Sequence, residues 1–290
     1  MIKHNRILAA ALVLALMTLA CGFGSTQPVV KIKAGSIQGA EIQLPLPEPS
    51  ASGVELELRF IAGKLSLAPG AAEGLASGTA TFNAVELQPK TEVTGSSYRL
   101  YQGDPADKRI PNIEGDIQNE WDLQLANRPM SLYIDAGPYT GSFELGGLSL
   151  EKLTIAEIGS DLKAAFSQPN QVEMSTFTFS TGGSNVELKG LANANFEQMT
   201  FQSGAGNYTL SFDGELKRDA TVKIDSGMGT VNIIIPKGVN ARVTFDGGLT
   251  SVKVDAPWQQ NGNVYSLSGS GPTISVLVTM GAGTLNLKTQ

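Results

Sequence analysis

The sequence predicts an all-β protein, built as a single-stranded parallel β-helix with a β-rich cap region on its N-terminal side. Short alternating apolar runs recur every 21 to 24 residues, a glycine-rich corner follows most of them, and a second inward run begins at a fixed distance beyond the corner. The composition agrees, because 41% of the residues are hydrophobic and only 17% are charged. Disordered chains show the opposite balance.

The first twenty residues have the form of a signal peptide. Lys3 and Arg6 precede an uncharged run over 7–20. At about 1.5 Å per residue this run is too short for a ~30 Å hydrocarbon core. The run ends in Leu-Ala-Cys21 and resembles the lipobox of bacterial lipoproteins, with Thr18 in place of the usual aliphatic residue. We therefore expect 1–21 to be a lipoprotein signal peptide with its lipidation site at Cys21, and a chance cysteine after a secretory signal is the alternative.

Two segments precede the repeats. Residues 22–52 contain four prolines, which remove backbone donors and block regular strand pairing. They predict a flexible tether that holds the folded part away from the membrane. Residues 53–120 contain shorter alternating runs, such as 54–60, between glycine or proline turns. They predict the N-terminal β region.

Residues 121–290 hold the repeats. The first inward residues of the seven copies are Leu132, Leu153, Phe177, Met199, Val222, Val243 and Val276. Slipping a strand by one residue would turn its side chains to the wrong face, so constant spacing indicates stacked strands. We predict about seven rungs stacked ~4.8 Å apart. Glycine corners suit this plan because glycine adopts positive φ without steric cost. Right-handed coiling is favoured, as in other parallel crossovers.

The last step between copies is longer, at 33 residues, and contains Trp258, an Asn-Gly hairpin signal and Tyr265. Trp258 and Tyr265 could form an exposed platform that contacts a partner or a glycan. Alternatively, they cover the lower end of the solenoid, because bare strand edges invite association. Trp121 has the same two interpretations at the upper end. Covering the ends is the favoured one.

The available side chains argue against most catalytic and metal chemistry. Beyond Cys21 the sequence contains no histidine and no further cysteine. It therefore lacks the imidazole of a Ser-His-Asp device and the ligands of a usual zinc site. Asp135, Asp225 and Asp246 share one rung position and suggest calcium, but the intervening rungs have no carboxylate there. We expect no metal and no cofactor.

An enzyme remains the alternative interpretation. Polysaccharide lyases and hydrolases on β-helices need an acid and a base close together. Glu144, Glu173 and Glu187 supply carboxylates, but their spacing singles out no pair. The formal net charge of −6, with no basic cluster, makes nucleic acid a poor partner.

Several segments resemble a known family. They are Glu120-Trp-Asp-Leu123, the run Gly146-Gly-Leu-Ser-Leu150-Glu-Lys-Leu-Thr-Ile155, and the Ser-Gly-x-Gly corners. They resemble the toast-rack family of bacterial extracytoplasmic proteins, over roughly 53–290. This family is similar to the C-terminal β-solenoid of LiaF-type cell-wall-stress proteins and to adhesin domains of related fold.

The resemblance implies an envelope location, stress sensing or complex formation, and no catalytic residues. Together with the lipobox, it leads us to expect a lipid-anchored, non-catalytic binding or scaffold module of the cell envelope. Its expected partners are the membrane, through the lipid, and an envelope protein or glycan.

Overall fold

In the computed structural model, which describes residues 31–103 and 112–290, the protein is an all-β parallel solenoid. The fold class predicted from the repeats is therefore confirmed. The shorter strands on the N-terminal side are β1 (Lys31–Lys33), β2 (Gln38–Leu44), β3 (Glu55–Phe60), β4 (Gly63–Pro69), β5 (Ala76–Phe82), β6 (Lys90–Thr94), β7 (Ser97–Tyr101), β8 (Asn112–Glu114) and β9 (Asn119–Leu125), with a 3₁₀ turn at Val85–Leu87.

Seven long strands correspond to the seven predicted copies. They are β10 (Met130–Glu144), β11 (Leu150–Ala165), β12 (Met174–Lys189), β13 (Phe196–Ser211), β14 (Ala220–Ile235), β15 (Asn240–Val254) and β18 (Thr273–Thr289). Between the last two lies a short hairpin of β16 (Gln259–Asn261) and β17 (Val264–Leu267). Each long strand continues through its corner, so the two inward runs of a copy belong to one strand that serves two faces of the solenoid.

The core consists of inward side chains stacked in columns. In one column Ile155, Phe179, Phe201 and Ile224 are register partners on successive strands, and each is fully buried. The rings of Phe179 and Phe201 stack with their centroids 5.0 Å apart. Such pairs contribute about 0.5–1.5 kcal/mol beyond their area burial. Because each rung covers the apolar residues of its neighbours, no rung is stable alone.

Glycine is required where the corners stack most closely. Gly206, Gly229 and Gly283 are register partners on β13, β14 and β18, with φ of 156°, 136° and 130°. A Cβ on Gly229 would overlap the carbonyl oxygen of Gly206. The column therefore combines a backbone conformation that disfavours side chains with a lack of space for one.

The last long strand is out of sequence order. Sequential stacking would place β15 against β14, but β18 lies between them and pairs in parallel with both. The hairpin strand β17 then pairs antiparallel with Ala241–Thr244 of β15.

The parallel ladder continues above the long strands. β3 and β4 together form one broken rung, and they pair in parallel with the first and second halves of β10. β7 lies parallel on β3 and β9 lies parallel on β4. β5 and β2 extend the second face antiparallel beyond β9, while β6 extends the first face beyond β7.

The tether predicted over 22–52 is wrong for Lys31–Lys33 and Gln38–Leu44, which are strands. The reason is that Ile42 and Leu44 alternate with polar residues and are buried in the core, while the strand that carries them pairs with β5. The prolines at 45, 47 and 49 follow this strand and do not interrupt it.

Candidate functional site

The candidate site is a groove of about 360 Å³ on the first outer face of the solenoid, where β7, β3, β10 and β11 lie side by side. The residues at its surface include Glu55, Glu57, Ser131, Tyr133, Lys152 and Thr154. We call it the Tyr133 groove. Its volume lies in the range of small-ligand pockets.

Strand alternation positions these side chains. Leu56 and Leu132 are register partners that point into the core and are buried. Successive residues of a strand face opposite ways, so the residues on either side of them point outward. One outward row runs Ser97, Glu55, Ser131, Lys152, and the next runs Arg99, Glu57, Tyr133, Thr154.

An ion-pair network fixes one side of the groove. The Nε of Arg99 donates to Oε2 of Glu57 at 2.8 Å, and its Nη1 donates to Oε2 of Glu92 at 3.4 Å. The same guanidinium lies over the ring of Tyr101, 5.6 Å from its centroid. The hydrogen bond to Glu57 raises the pKa of Arg99, against a smaller opposing effect of burial. Glu57 therefore has a fixed partner and a defined orientation.

Tyr133 presents the groove's aromatic surface. The residue is 39% exposed. Burial of the remainder raises the pKa of Tyr133, and the negative charges of Asp135 and Glu57 add to this while Arg59 opposes it. The hydroxyl therefore remains a protonated hydrogen-bond donor at neutral pH.

The three aromatic residues considered as possible contacts for a partner or glycan are buried. Trp121 is fully buried, with its ring edge-on to Phe60 at 5.2 Å, and Trp258 and Tyr265 are 9% and 5% exposed. The contact interpretation, the less favoured of the two, is therefore wrong for all three, because a ring packed in the core has no face left for a ligand. Trp121 lies in β9 near the upper end, and the other two lie by the lower hairpin. Cys21, the predicted lipidation site, lies outside the described residues.

The aspartates considered for calcium occupy one column, as expected. Asp135, Asp225 and Asp246 occur at equivalent register positions, separated by rungs with other side chains. Within 31–103 and 112–290, no group of three or more His, Cys, Asp or Glu side chains is placed to hold a metal ion.

A second polar cluster lies at the corner around the buried carboxylate of Glu157. Glu157 is 9% exposed and accepts three hydrogen bonds, from the hydroxyls of Tyr139 at 2.7 Å, Ser160 at 2.6 Å and Ser184 at 2.9 Å. Because its oxygens are occupied by neighbours on three successive strands, this cluster joins the rungs and does not form a ligand site.

The sequence reasoning missed the Tyr133 groove. One feature of the sequence that indicates the groove is the aromatic residue at position 133. It points outward at a register position that is occupied by threonine on the following rungs, at Thr154, Thr178 and Thr200. The side of the groove that carries Glu55 and Glu57 depends on β3 pairing with β10 and on β7 pairing with β3, which the repeat pattern does not reveal. No helix among the described residues is long and apolar enough to cross a membrane.

These features define the protein as a parallel β-solenoid with a side-chain-lined groove on its outer face. Residues 33–182 match the model of the N-terminal domain of toast_rack, DUF2154. The chain belongs to the toast-rack family, as its sequence resemblance indicated. A search of curated proteins finds no match.

Several solved structures are similar to the chain over most of its length. A suspected cell adhesion protein of Clostridium sporogenes is 20% identical, with a TM-score of 0.46, covering 88% of this chain and 100% of its own. A suspected adhesin of Bacteroides fragilis is 12% identical, with a TM-score of 0.37, covering 88% and 99%. A suspected lipid binding protein of Parabacteroides distasonis is 11% identical, with a TM-score of 0.36, covering 89% and 99%.

Proposed function

We propose that this protein is a non-catalytic binding module of the bacterial cell envelope, held to the membrane by a lipid on Cys21, with the Tyr133 groove as its binding surface. The observation that carries the proposal is the half-exposed Tyr133 ring, set among outward carboxylate, hydroxyl and ammonium groups on a hydrogen-bonded sheet. Exposed aromatic side chains with polar neighbours are typical of recognition surfaces.

The state of Glu57 supports binding over catalysis. Its carboxylate is held by Arg99 at 2.8 Å. A general acid or base must instead exchange a proton with the substrate. A fixed ion pair orients a ligand without reacting with it. The N-terminal sequence ending in Cys21 supports the envelope location, and a lipid there would leave the described strands outside the membrane.

The first experiment tests the anchor. Cells producing the wild type are fed a labelled fatty acid beside cells producing Cys21→Ala. We expect label on the wild type and none on the variant, because the variant has no thiol to lipidate. Equal labelling of both proteins, or no label on the wild type, would contradict the lipid anchor.

The second experiment tests the binding surface. A photo-crosslinking amino acid, p-benzoylphenylalanine, replaces Lys152 in the groove or Thr140, which is exposed on the second face of β10. We expect crosslinks to an envelope component from position 152 and few from position 140. Equal crosslinking from both positions, or none from 152, would assign binding to another surface.

A further inference from the structure

We propose that the ligand of the Tyr133 groove is a neutral polysaccharide that lies along the solenoid axis. This inference rests on the proposed function, since it names the ligand of the same surface.

The groove combines an aromatic ring with closely spaced donors and acceptors. The row Ser97, Glu55, Ser131, Lys152 presents a hydroxyl, a carboxylate, a hydroxyl and an ammonium group on adjacent strands. Adjacent strands lie about 4.8 Å apart. Sugar hydroxyls both donate and accept hydrogen bonds, so a pyranose finds a partner on each rung. The apolar face of its ring can then cover Tyr133.

The balance of charge favours a neutral ligand. The groove has Glu55 and Glu57 on one side and Lys152 on the other, and Glu57 is already paired with Arg99. A polyanion would meet the carboxylates and a polycation would meet the ammonium and guanidinium groups. A neutral polysaccharide, which presents hydroxyl groups, is repelled by neither set of charges.

The sheet itself argues against an extended peptide. Strand addition needs free backbone groups at a sheet edge. In the groove, however, β3 pairs with β7 and β10, and β10 pairs with β11. The ligand is therefore recognised by side chains alone.

The polar rows continue beyond the groove. Lys152 is followed by Thr176, Gln198 and Thr221 on successive rungs. The same kind of contact is thus available to a chain longer than the groove. A polymer should bind more tightly than a disaccharide.

The test measures retention of the full chain, in the Cys21→Ala form, on insoluble cellulose and chitin, with a pectate gel as the anionic comparison. We expect retention on a neutral polymer, and about tenfold weaker retention for Tyr133→Ala through loss of ring contact. Tyr133→Phe keeps the ring and should retain most of the binding. Thr140→Ala, on the other face, is the matched control, and thermal unfolding verifies the fold of each variant.

Three outcomes would overturn the inference. They are no retention on either neutral polymer, stronger retention on pectate, or equal loss for Tyr133→Ala and Thr140→Ala. If position 152 crosslinks to an envelope protein while neutral polymers fail, the proposed function stands and the polysaccharide does not. If neutral polymers bind but sugar is released, the ligand class stands and the non-catalytic function fails.

Discussion

At the scale of single residues, Glu157 shows how a charged group is kept inside a ladder of apolar side chains. Its partners are Tyr139 on β10, Ser160 on its own strand β11 and Ser184 on β12. A buried carboxylate without partners would cost several kcal/mol. Here the hydroxyls of three strands take the place of water and tie the rungs in register.

Tyr139 is the partner whose titration can be measured. Burial is the main cause that holds the pKa of Tyr139 well above its ordinary value of 10.0, and the charge of Glu157 and the hydrogen bond to it act the same way. The unfolded chain therefore ionises this hydroxyl at lower pH than the folded protein does. The stabilising contribution is fully present below about pH 10 and is lost as pH rises from there towards the folded-state pKa.

We predict that Tyr139→Phe destabilises the protein by about 1–3 kcal/mol at pH 8, because a hydrogen bond to a charged group is removed. The difference between wild type and variant should shrink as pH rises through 10 and 11. Urea unfolding at each pH measures both quantities. A difference that stays constant up to pH 11 would show that Tyr139 ionises alike in both states.

At the scale of elements, the main departure from the repeat pattern is the position of β18 between β14 and β15. The inward residues of β15 and β18 are similar, with Val243 and Phe245 in one strand and Val276 and Val278 in the other. The inward side chains of either strand could therefore pack against those of β14. What distinguishes them is the hairpin β16–β17, which pairs with β15 and occupies the free side of its first half.

Engineered disulfides test this order directly. Lys223 of β14 is a register partner of Leu277 of β18, and Thr244 of β15 lies beyond it. In a Cys21→Ala background, Lys223→Cys with Leu277→Cys should form a disulfide, because adjacent strands place Cα atoms within the usual range. Lys223→Cys with Thr244→Cys should not, since two strand spacings of about 9.6 Å exceed it.

Mass spectrometry of the oxidised, unreduced proteins distinguishes the pairs. A disulfide between positions 223 and 244, without one between 223 and 277, would indicate sequential stacking.

The elements also show what sequence alone could predict. The columns follow from period and alternation, so the register of Leu132, Leu153 and Phe177 was predictable from spacing. The stacking order of β15 and β18 was not, because equivalent apolar residues fit equivalent slots. β2 is not predicted from the sequence, because the prolines that follow it indicate an irregular segment despite the alternation of Ile42 and Leu44 with polar residues. The Tyr133 groove depends on contacts between distant strands, which a periodic pattern does not specify.

At the scale of the whole molecule, one apolar core extends from Ile32 near the N-terminal side to Leu287 in β18. Trp121 and Trp258 lie near opposite ends of it and are both buried. In repeat proteins each unit contacts only its neighbours, and long arrays can lose cooperativity. Here, however, one core runs through all the rungs without a break. This continuity favours unfolding of the whole solenoid as one unit.

We predict that Trp121→Phe and Trp258→Phe each leave one tryptophan whose fluorescence midpoint in urea coincides with the circular dichroism midpoint of the same variant. Comparing two signals within one variant removes the effect of the substitution on overall stability. Fluorescence that changes well before circular dichroism in either variant would show that this end opens independently.

The intercalated position of β18 has a consequence for biosynthesis. The chain is delivered from its N-terminus, so β15 arrives before β18 and the lower edge of β14 has no permanent neighbour until β18 follows. A polypeptide that stops before Thr273 presents an unclosed ladder to proteases and chaperones. Closure by a late-arriving strand thus makes delivery of the whole chain a condition for native folding.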